Sequence, residues 1–353
     1  MKPGFISLTR YDETRPAVKE QTQKDNGRII QINIWYPSVG NTRPTHFLDY
    51  VELMGKELDA STSNKTFQQK GIDKYFEWPL SAGADKDQFR NFLEKKTPML
   101  AYKNAGWVKR KFPLIMLVHG FAADHAFLAE WLASFGNVVM QVPVKGTTQY
   151  ELDYEGQGLE TQVLDYEFAL SVLQTEFPYL SGEAAVAGFS FGGQSAVAIA
   201  MRNKSIKAIV SLDGGIGSVF GAQLLGNQSY YREQDIVVPI LHLYNPSDPY
   251  TDLTWFKSIP YSERFLAGMK NMQHGHFTSF GLLNKILPGI MGKDTPSPGD
   301  GYETVMLLTK EFLGHSLNKS LSASVNFFDQ QKIANRWIQD CIGGTSIKAL
   351  GTS

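Results

Sequence analysis

The 353-residue chain has a single cysteine, Cys341. A lone thiol cannot close an internal disulfide or build a thiolate metal cluster, so neither staples this fold. We expect Cys341 to be a structural thiol carried on a helix. No apolar run approaches the roughly 18–20 residues needed to span a bilayer. The opening MKPGFISLTR lacks the apolar core of a secretion signal, so the chain reads as cytoplasmic, or as exported with its signal already trimmed. An excess of one charge is missing too: 34 Lys and Arg face 35 Asp and Glu, a formal net charge of −1. That balance gives no long-range attraction to nucleic acid or to an anionic membrane. Internal repeats and long low-complexity tracts are also lacking. What is present is 42% hydrophobic and 20% charged residues, the make-up of an ordinary globular protein.

Short runs rich in β-branched and aromatic residues recur along the chain. RIIQINIWYP (28–37) predicts a strand stopped by Pro37. FPLIMLVHG (112–120), NVVMQVPV (137–144), AAVAGF (184–189), IKAIVSL (206–212), VPILHLY (238–244) and RFLAGM (264–269) predict others. Continuous apolar runs suit parallel strands buried on both faces. Helical patterns lie between them: AFLAEWLASF (126–135), the stripe Leu159, Val163, Tyr166, Leu170 and Leu173, and SAVAIAMRN (195–203). Strands alternating with helices predict an α/β chain with a mostly parallel, doubly wound sheet and helices on both faces.

Two segments stand outside the alternation of this single domain, 1–353. Residues 45–111 predict a helical insertion of the kind that caps a pocket. One helix would carry Phe47, Val51, Met54 and Leu58 on a face, and another Phe89, Phe92 and Leu93. Residues 287–353 predict a Pro/Gly-rich loop, 287–301, and then two helices, 301–313 and 327–344. The second would be capped by Gly343-Gly344.

Between AAVAGF and SAVAIAMRN lies Gly188-Phe189-Ser190-Phe191-Gly192. A G-x-S-x-G pattern between strand and helix is a nucleophile elbow, a turn so tight that side chains at the glycine positions would collide. Ser190 is therefore the candidate nucleophile. A serine hydroxyl needs a base to take its proton and an acid to orient that base. Of seven histidines, His119 and His125 precede the serine, His46 lies in the insertion, His242 lies inside a strand and His315 in a late helix. The base is then His274, with His276 as the alternative, in NMQHGHFTSF (271–280). The acid is Asp213, ending one strand in SLDGG (211–215), or Asp248, ending the next in NPSDPY (245–250). Spacing alone does not separate them. Two backbone N–H groups must face the developing oxyanion; Phe191, after the serine, and Phe121, after LVHG, are the candidates, with His119 bracing the loop. This chemistry calls for no metal and no organic cofactor.

In this order, IWYPS (34–38), FPLIMLVHGF (112–121), GFSFGG (188–193), SLDGG (211–215) and HGHFTSF (274–280) resemble the platelet-activating-factor acetylhydrolase and dienelactone-hydrolase-like branch of the α/β-hydrolase superfamily. YDETRP (11–16), before the WYP strand, fits the same branch. The resemblance spans most of residues 5–280, apart from the insertion. It implies an α/β-hydrolase fold, Asp213 as the acid and His274 as the base, with Phe121 and Phe191 as oxyanion donors. The chain departs from the branch at Ser279, where an aspartate is common. It also lacks the cysteine nucleophile of dienelactone hydrolases proper, so that activity is not implied. The leading expectation is a serine hydrolase acting on small carboxylic esters, lipid-like or aryl given the apolar insertion. An amidase or peptidase with the same triad, or a non-catalytic binding protein on a hydrolase scaffold, are the alternatives. Composition sets no oligomeric state.

Overall fold

The computed structural model describes residues 1–18, 27–58, 66–292, 294–318 and 321–342. Strands β1 (Lys2–Asp12) and β2 (Arg28–Ser38) form a long antiparallel pair. Then come β3 (Pro44–His46), helices α1 (Phe47–Leu58), α2 (Thr66–Ser81) and α3 (Lys86–Glu94), and β4 (Pro98–Lys103). The alternating part runs β5 (Phe112–Val118), α4 (Ala122–Ser134), β6 (Val138–Gln141), α5 (Gly156–Glu176), β7 (Leu180–Phe189), α6 (Gly192–Arg202) and β8 (Ile206–Leu212). It continues through α7 (Val219–Gly226), β9 (Ile240–Tyr244), α8 (Thr254–Ser258), β10 (Arg264–Met269) and α9 (Ser279–Ile286). The chain closes with α10 (Gly301–Leu317), α11 (Leu321–Ala334) and β11 (Ile338–Ile342).

Among the described residues these strands make one sheet, ordered β11-β10-β9-β8-β7-β5-β6-β2-β1-β4-β3. From β6 to β10 every pairing is parallel. β5 shows why its sequence is apolar throughout. Leu114, Met116 and Val118 face the core under α5 and α6, while Ile115 and Leu117 face the opposite core with α4 and α10. Each fully buried Leu or Ile contributes about 1.5–3 kcal/mol, so a strand covered on both sides has no use for alternation.

The insertion packs on the α4 and α10 face. Phe47, Val51 and Met54 of α1, and Phe89, Phe92 and Leu93 of α3, are buried in that core, with Phe47 stacked on Phe127 at 5.3 Å. The side chain of Leu58 lies outside the described residues. The insertion is not wholly helical, however. β4 pairs with β1 and β3 pairs with β4, extending the sheet at one edge.

Three expectations are corrected. β2 runs through Pro37 to Ser38, because β6 pairs only with Asn33–Trp35 and the segment beside Pro37 uses only its carbonyl, which accepts the Val108 N–H at 3.0 Å. The helix expected over 327–344 ends at Ala334. The Asn335 side chain accepts the Trp337 N–H at 3.0 Å, an Asx turn that redirects the chain. The chain then pairs as β11 against β10, covering an edge otherwise open. Cys341 is thus on a strand, opposite Ala267, rather than on a helix; Gly343 and Gly344 lie outside the described residues. The YDETRP turn ties the β1–β2 pair to α5. Arg15 bonds Asp12 at 2.6 Å and Asp165 at 2.7 Å, and Arg28 reaches both carboxylate oxygens of Asp165 at 2.7 Å.

Candidate active site

The carboxyl ends of β5, β7, β8 and β10 bring the candidate residues to one edge of the sheet. β7 ends at Phe189, and Ser190 turns the chain into α6 with φ +54°, a left-handed conformation that non-glycine residues adopt only where the surroundings enforce it. The enforcement is steric. A Cβ on Gly188 would stand 1.9 Å from the Gly192 carbonyl oxygen, and one on Gly192 would stand 2.3 Å from the Val118 carbonyl oxygen. The Ser190 carbonyl also accepts the N–H groups of Gly193 and Gly215, both at 2.9 Å.

His274 opens a 3-10 turn after β10. Its Nε2 lies 3.0 Å from Ser190 Oγ and its Nδ1 lies 2.7 Å from Asp213 Oδ2. The ring stacks on Phe189 at 4.7 Å and is about half exposed. Asp213 follows β8 with φ +46°. Its other oxygen, Oδ1, accepts the Asn245 N–H at 2.8 Å, which fixes the carboxylate plane. Serine, histidine and Asp213 therefore form one hydrogen-bonded chain.

The alternatives take other hydrogen-bond partners. Asp248 accepts the Tyr250 N–H at 2.8 Å within a turn. His276 is buried; its Nδ1 accepts the Gln273 N–H at 2.8 Å, and its Nε2 lies 3.1 Å from Asn284. Burial pushes the His276 pKa down to about 4, so the ring is a neutral brace of the turn that presents His274. The two histidines point to different partners. Among the described residues no group of three His, Cys, Asp or Glu has the arrangement of a metal site.

The oxyanion candidates differ from expectation in one respect. The Phe191 N–H, at the start of α6, has no acceptor among the described residues. The Phe121 N–H instead donates to Asp124 Oδ2 at 2.8 Å. Asp124 is partly buried, and desolvation raises its pKa to about 6. The next amide, Ala122, donates to Glu57 Oε1 at 3.1 Å. The expected second donor is thus held by a carboxyl at the third position of α4. Its signal was readable in Phe121-Ala-Ala-Asp124, where an acid sits three residues after the N-cap. His119 has φ +75°, lies 3.2 Å from Gln162, and gives its carbonyl to His125 at 2.6 Å. Burial, aided by His125 and His274, lowers its pKa to about 3, so it is a neutral brace.

A cavity of about 240 Å³ opens beside Ser190 and His274, walled by Tyr154, Phe191, Phe220 and Tyr250. No residue of 45–111 lines it. The insertion acts one step away. Tyr75 of α2 stacks on Phe280 at 5.0 Å and Trp78 meets the same ring at 4.9 Å. A Cβ on Gly275 would meet the Trp78 ring at 2.7 Å, so α2 presses on the residue after His274. Sequence patterning did not reveal this contact, because Trp78 and Gly275 are remote in the chain.

No protein-family model matches the chain, and no curated protein matches it. Among solved structures it is similar to a ferulic acid esterase from Streptomyces cinnamoneus, with a TM-score of 0.57 and 17% identity, over 90% of this chain and 89% of that one. At that identity the likeness concerns the fold, and the chain has the α/β-hydrolase fold.

Proposed function

We propose that the protein is a serine hydrolase that cleaves carboxylic esters through an acyl-enzyme. One observation carries the reading: the unbroken chain Ser190 Oγ, His274 Nε2, His274 Nδ1, Asp213 Oδ2, with contacts of 3.0 and 2.7 Å. Ser190 attacks the acyl carbonyl while His274 takes its proton, and Asp213 holds the imidazole in the tautomer whose Nε2 accepts. The Phe191 N–H faces the oxyanion, and the Phe121 N–H joins it once the Asp124 side chain releases it. Collapse of the tetrahedral intermediate breaks the bond to the leaving oxygen, which takes the proton from His274. Water, deprotonated by His274, then attacks the acyl-enzyme and releases the acid and Ser190.

The ester bond is favoured over an amide by the similarity to a protein described as a ferulic acid esterase. The acetylhydrolase-like branch is favoured by Asp213, which follows the strand directly after the nucleophile's helix. The aromatic walls and modest volume of the cavity suit an aryl or short acyl arm rather than a long lipid chain. The test is a fluorophosphonate probe with p-nitrophenyl esters from acetate to long acyl chains, set against Ser190→Ala. Labelling and turnover should both vanish in the variant, and acetate or butyrate should be the best substrates. Wild-type protein that neither labels nor turns over any ester overturns the proposal. Faster cleavage of a matched anilide than of its ester would replace it with an amidase.

A further inference from the structure

Beyond Tyr154 lies a second cavity, of about 330 Å³. Tyr154 is common to both cavities, and its ring meets Phe191 at 5.3 Å, edge to face. Phe121, Val144, Leu152 and Tyr154 give the second cavity apolar walls, while Lys74, ion-paired to Glu77 at 2.6 Å, stands at its border. Glu57, fully buried at the end of α1, lines it together with the polar residues Tyr150 and Glu151. Glu57 Oε1 is occupied, by Asn33 at 2.6 Å and the Ala122 N–H at 3.1 Å. Oε2 is buried and has no partner among the described residues. A buried carboxyl oxygen left unmatched is costly unless something meets it, and this one belongs to a residue lining a cavity that shares the Tyr154 wall with the cavity beside Ser190.

An ester presents two arms to a catalytic serine, and the first cavity holds one. We propose that the second cavity is the subsite for the other arm, and that Glu57 Oε2 recognises a hydroxyl group at the end of that arm. This rests on the ester-hydrolase reading above. Burial, reinforced by Asp124, pushes the Glu57 pKa up to about 8, with the Ala122 and Asn33 hydrogen bonds and the Lys145 ammonium pulling the other way. The side chain is then a neutral carboxylic acid at pH 7, able both to donate to a hydroxyl and to accept from it. A site built this way rejects the analogue lacking the hydroxyl, because Oε2 is again left unmatched. The walls fit an aromatic or short aliphatic arm, so the substrate class is an ester with a hydroxyl group at the end of such an arm.

The test uses two substrate pairs on the whole protein: 3-(4-hydroxyphenyl)propyl acetate against 3-phenylpropyl acetate, and methyl 3-(4-hydroxyphenyl)propanoate against methyl 3-phenylpropanoate. In one pair the hydroxyl should raise kcat/KM about tenfold, through KM, as one well-matched hydrogen bond does; which pair responds identifies the arm. Glu57→Leu should erase that preference. If Glu57 merely anchors the Ala122 amide, Glu57→Leu should instead lower kcat on every ester and keep the preference, which would overturn the proposal. Equal kcat/KM within both wild-type pairs would overturn it too. Should Glu57→Leu not fold, Leu152→Trp fills the cavity from another lining residue, one that makes none of the Glu57 bonds. It should slow the phenylpropyl esters at least about tenfold relative to p-nitrophenyl acetate, and unchanged selectivity would refute the subsite. If the wild-type protein hydrolyses no ester, the function reading falls, and calorimetry decides the cavity separately. 3-(4-Hydroxyphenyl)propan-1-ol should bind about tenfold more tightly than 3-phenylpropan-1-ol, and lose that advantage in Leu152→Trp; equal affinities would retire the site.

Discussion

Replacing Asp213 by asparagine tests the site at the point where the structure fixes the outcome. Asp213 uses both oxygens: Oδ1 accepts the Asn245 N–H at 2.8 Å and Oδ2 faces His274 Nδ1 at 2.7 Å. An asparagine has one acceptor and one donor end. The Asn245 N–H can only donate, so it holds the amide oxygen and leaves the NH₂ pointing at His274 Nδ1. The imidazole must then accept at Nδ1 and carry its proton on Nε2, the atom that has to take the serine proton. The nucleophile loses its base with the geometry otherwise intact. The expected loss in kcat is about 10⁴-fold, or roughly 5.5 kcal/mol of transition-state stabilisation. Asp248→Asn keeps the oxygen that accepts the Tyr250 N–H, so it should change kcat less than about threefold. The assay is p-nitrophenyl acetate hydrolysis by both variants, with urea unfolding to show that each is folded. A loss under tenfold for Asp213→Asn, or an equal loss for Asp248→Asn, would refute the reasoning.

Further outcomes follow from packing and burial. Gly188→Ala places a Cβ 1.9 Å from a backbone oxygen that cannot swing away; it should lower stability by about 3 kcal/mol, read from urea unfolding. Asp165→Ala strands the Arg28 guanidinium, whose side chain is 2% exposed, and should cost about 3–5 kcal/mol, whereas Arg28→Met with Asp165→Leu should recover much of the loss. Trp78→Ala removes the brace against Gly275 and should lower kcat about tenfold to a hundredfold while stability falls little, seen by comparing turnover with unfolding midpoints. The fourth concerns pH. Burial lowers the His125 pKa to about 4. The unfolded chain takes up this proton below about pH 6.5 while the folded chain does not, so stability is lost as pH falls from 6.5 towards 4. Between pH 7 and pH 5 this one group accounts for about 2 kcal/mol, and that part of the loss should be missing in His125→Gln when unfolding is compared at the two pH values.

Much of the fold was legible along the chain because its causes are local. Runs such as FPLIMLV and IKAIVSL are buried on both faces, so their composition announces parallel strands directly. The stripe from Leu159 to Leu173 announces α5 in the same way. Ser190 was legible because an elbow demands glycine within two residues on either side, and that demand is written in five consecutive letters. Elements whose existence depends on a distant partner were less legible. β11 exists because β10 offers an open edge, β4 because β1 offers two residues to pair with, and neither offer can be read from QDC or MLA.

The sequence by itself determined the alternating α/β order, the elbow, and a short set of candidate acids and bases. Spacing left Asp213 and Asp248 level, since each ends a strand at the same edge of the sheet. The family resemblance favoured Asp213, and the tertiary structure gives the two different partners: the ring of His274 arrives from β10 over the end of β8, and the turn after β9 occupies the Asp248 carboxylate with its own backbone. The same holds for Phe121, whose N–H is taken by the Asp124 side chain, and for Glu57, whose free oxygen has meaning only beside a cavity formed by segments remote from it. Backbone periodicity is a property of neighbours in the chain, whereas the direction of a hydrogen bond is a property of neighbours in space.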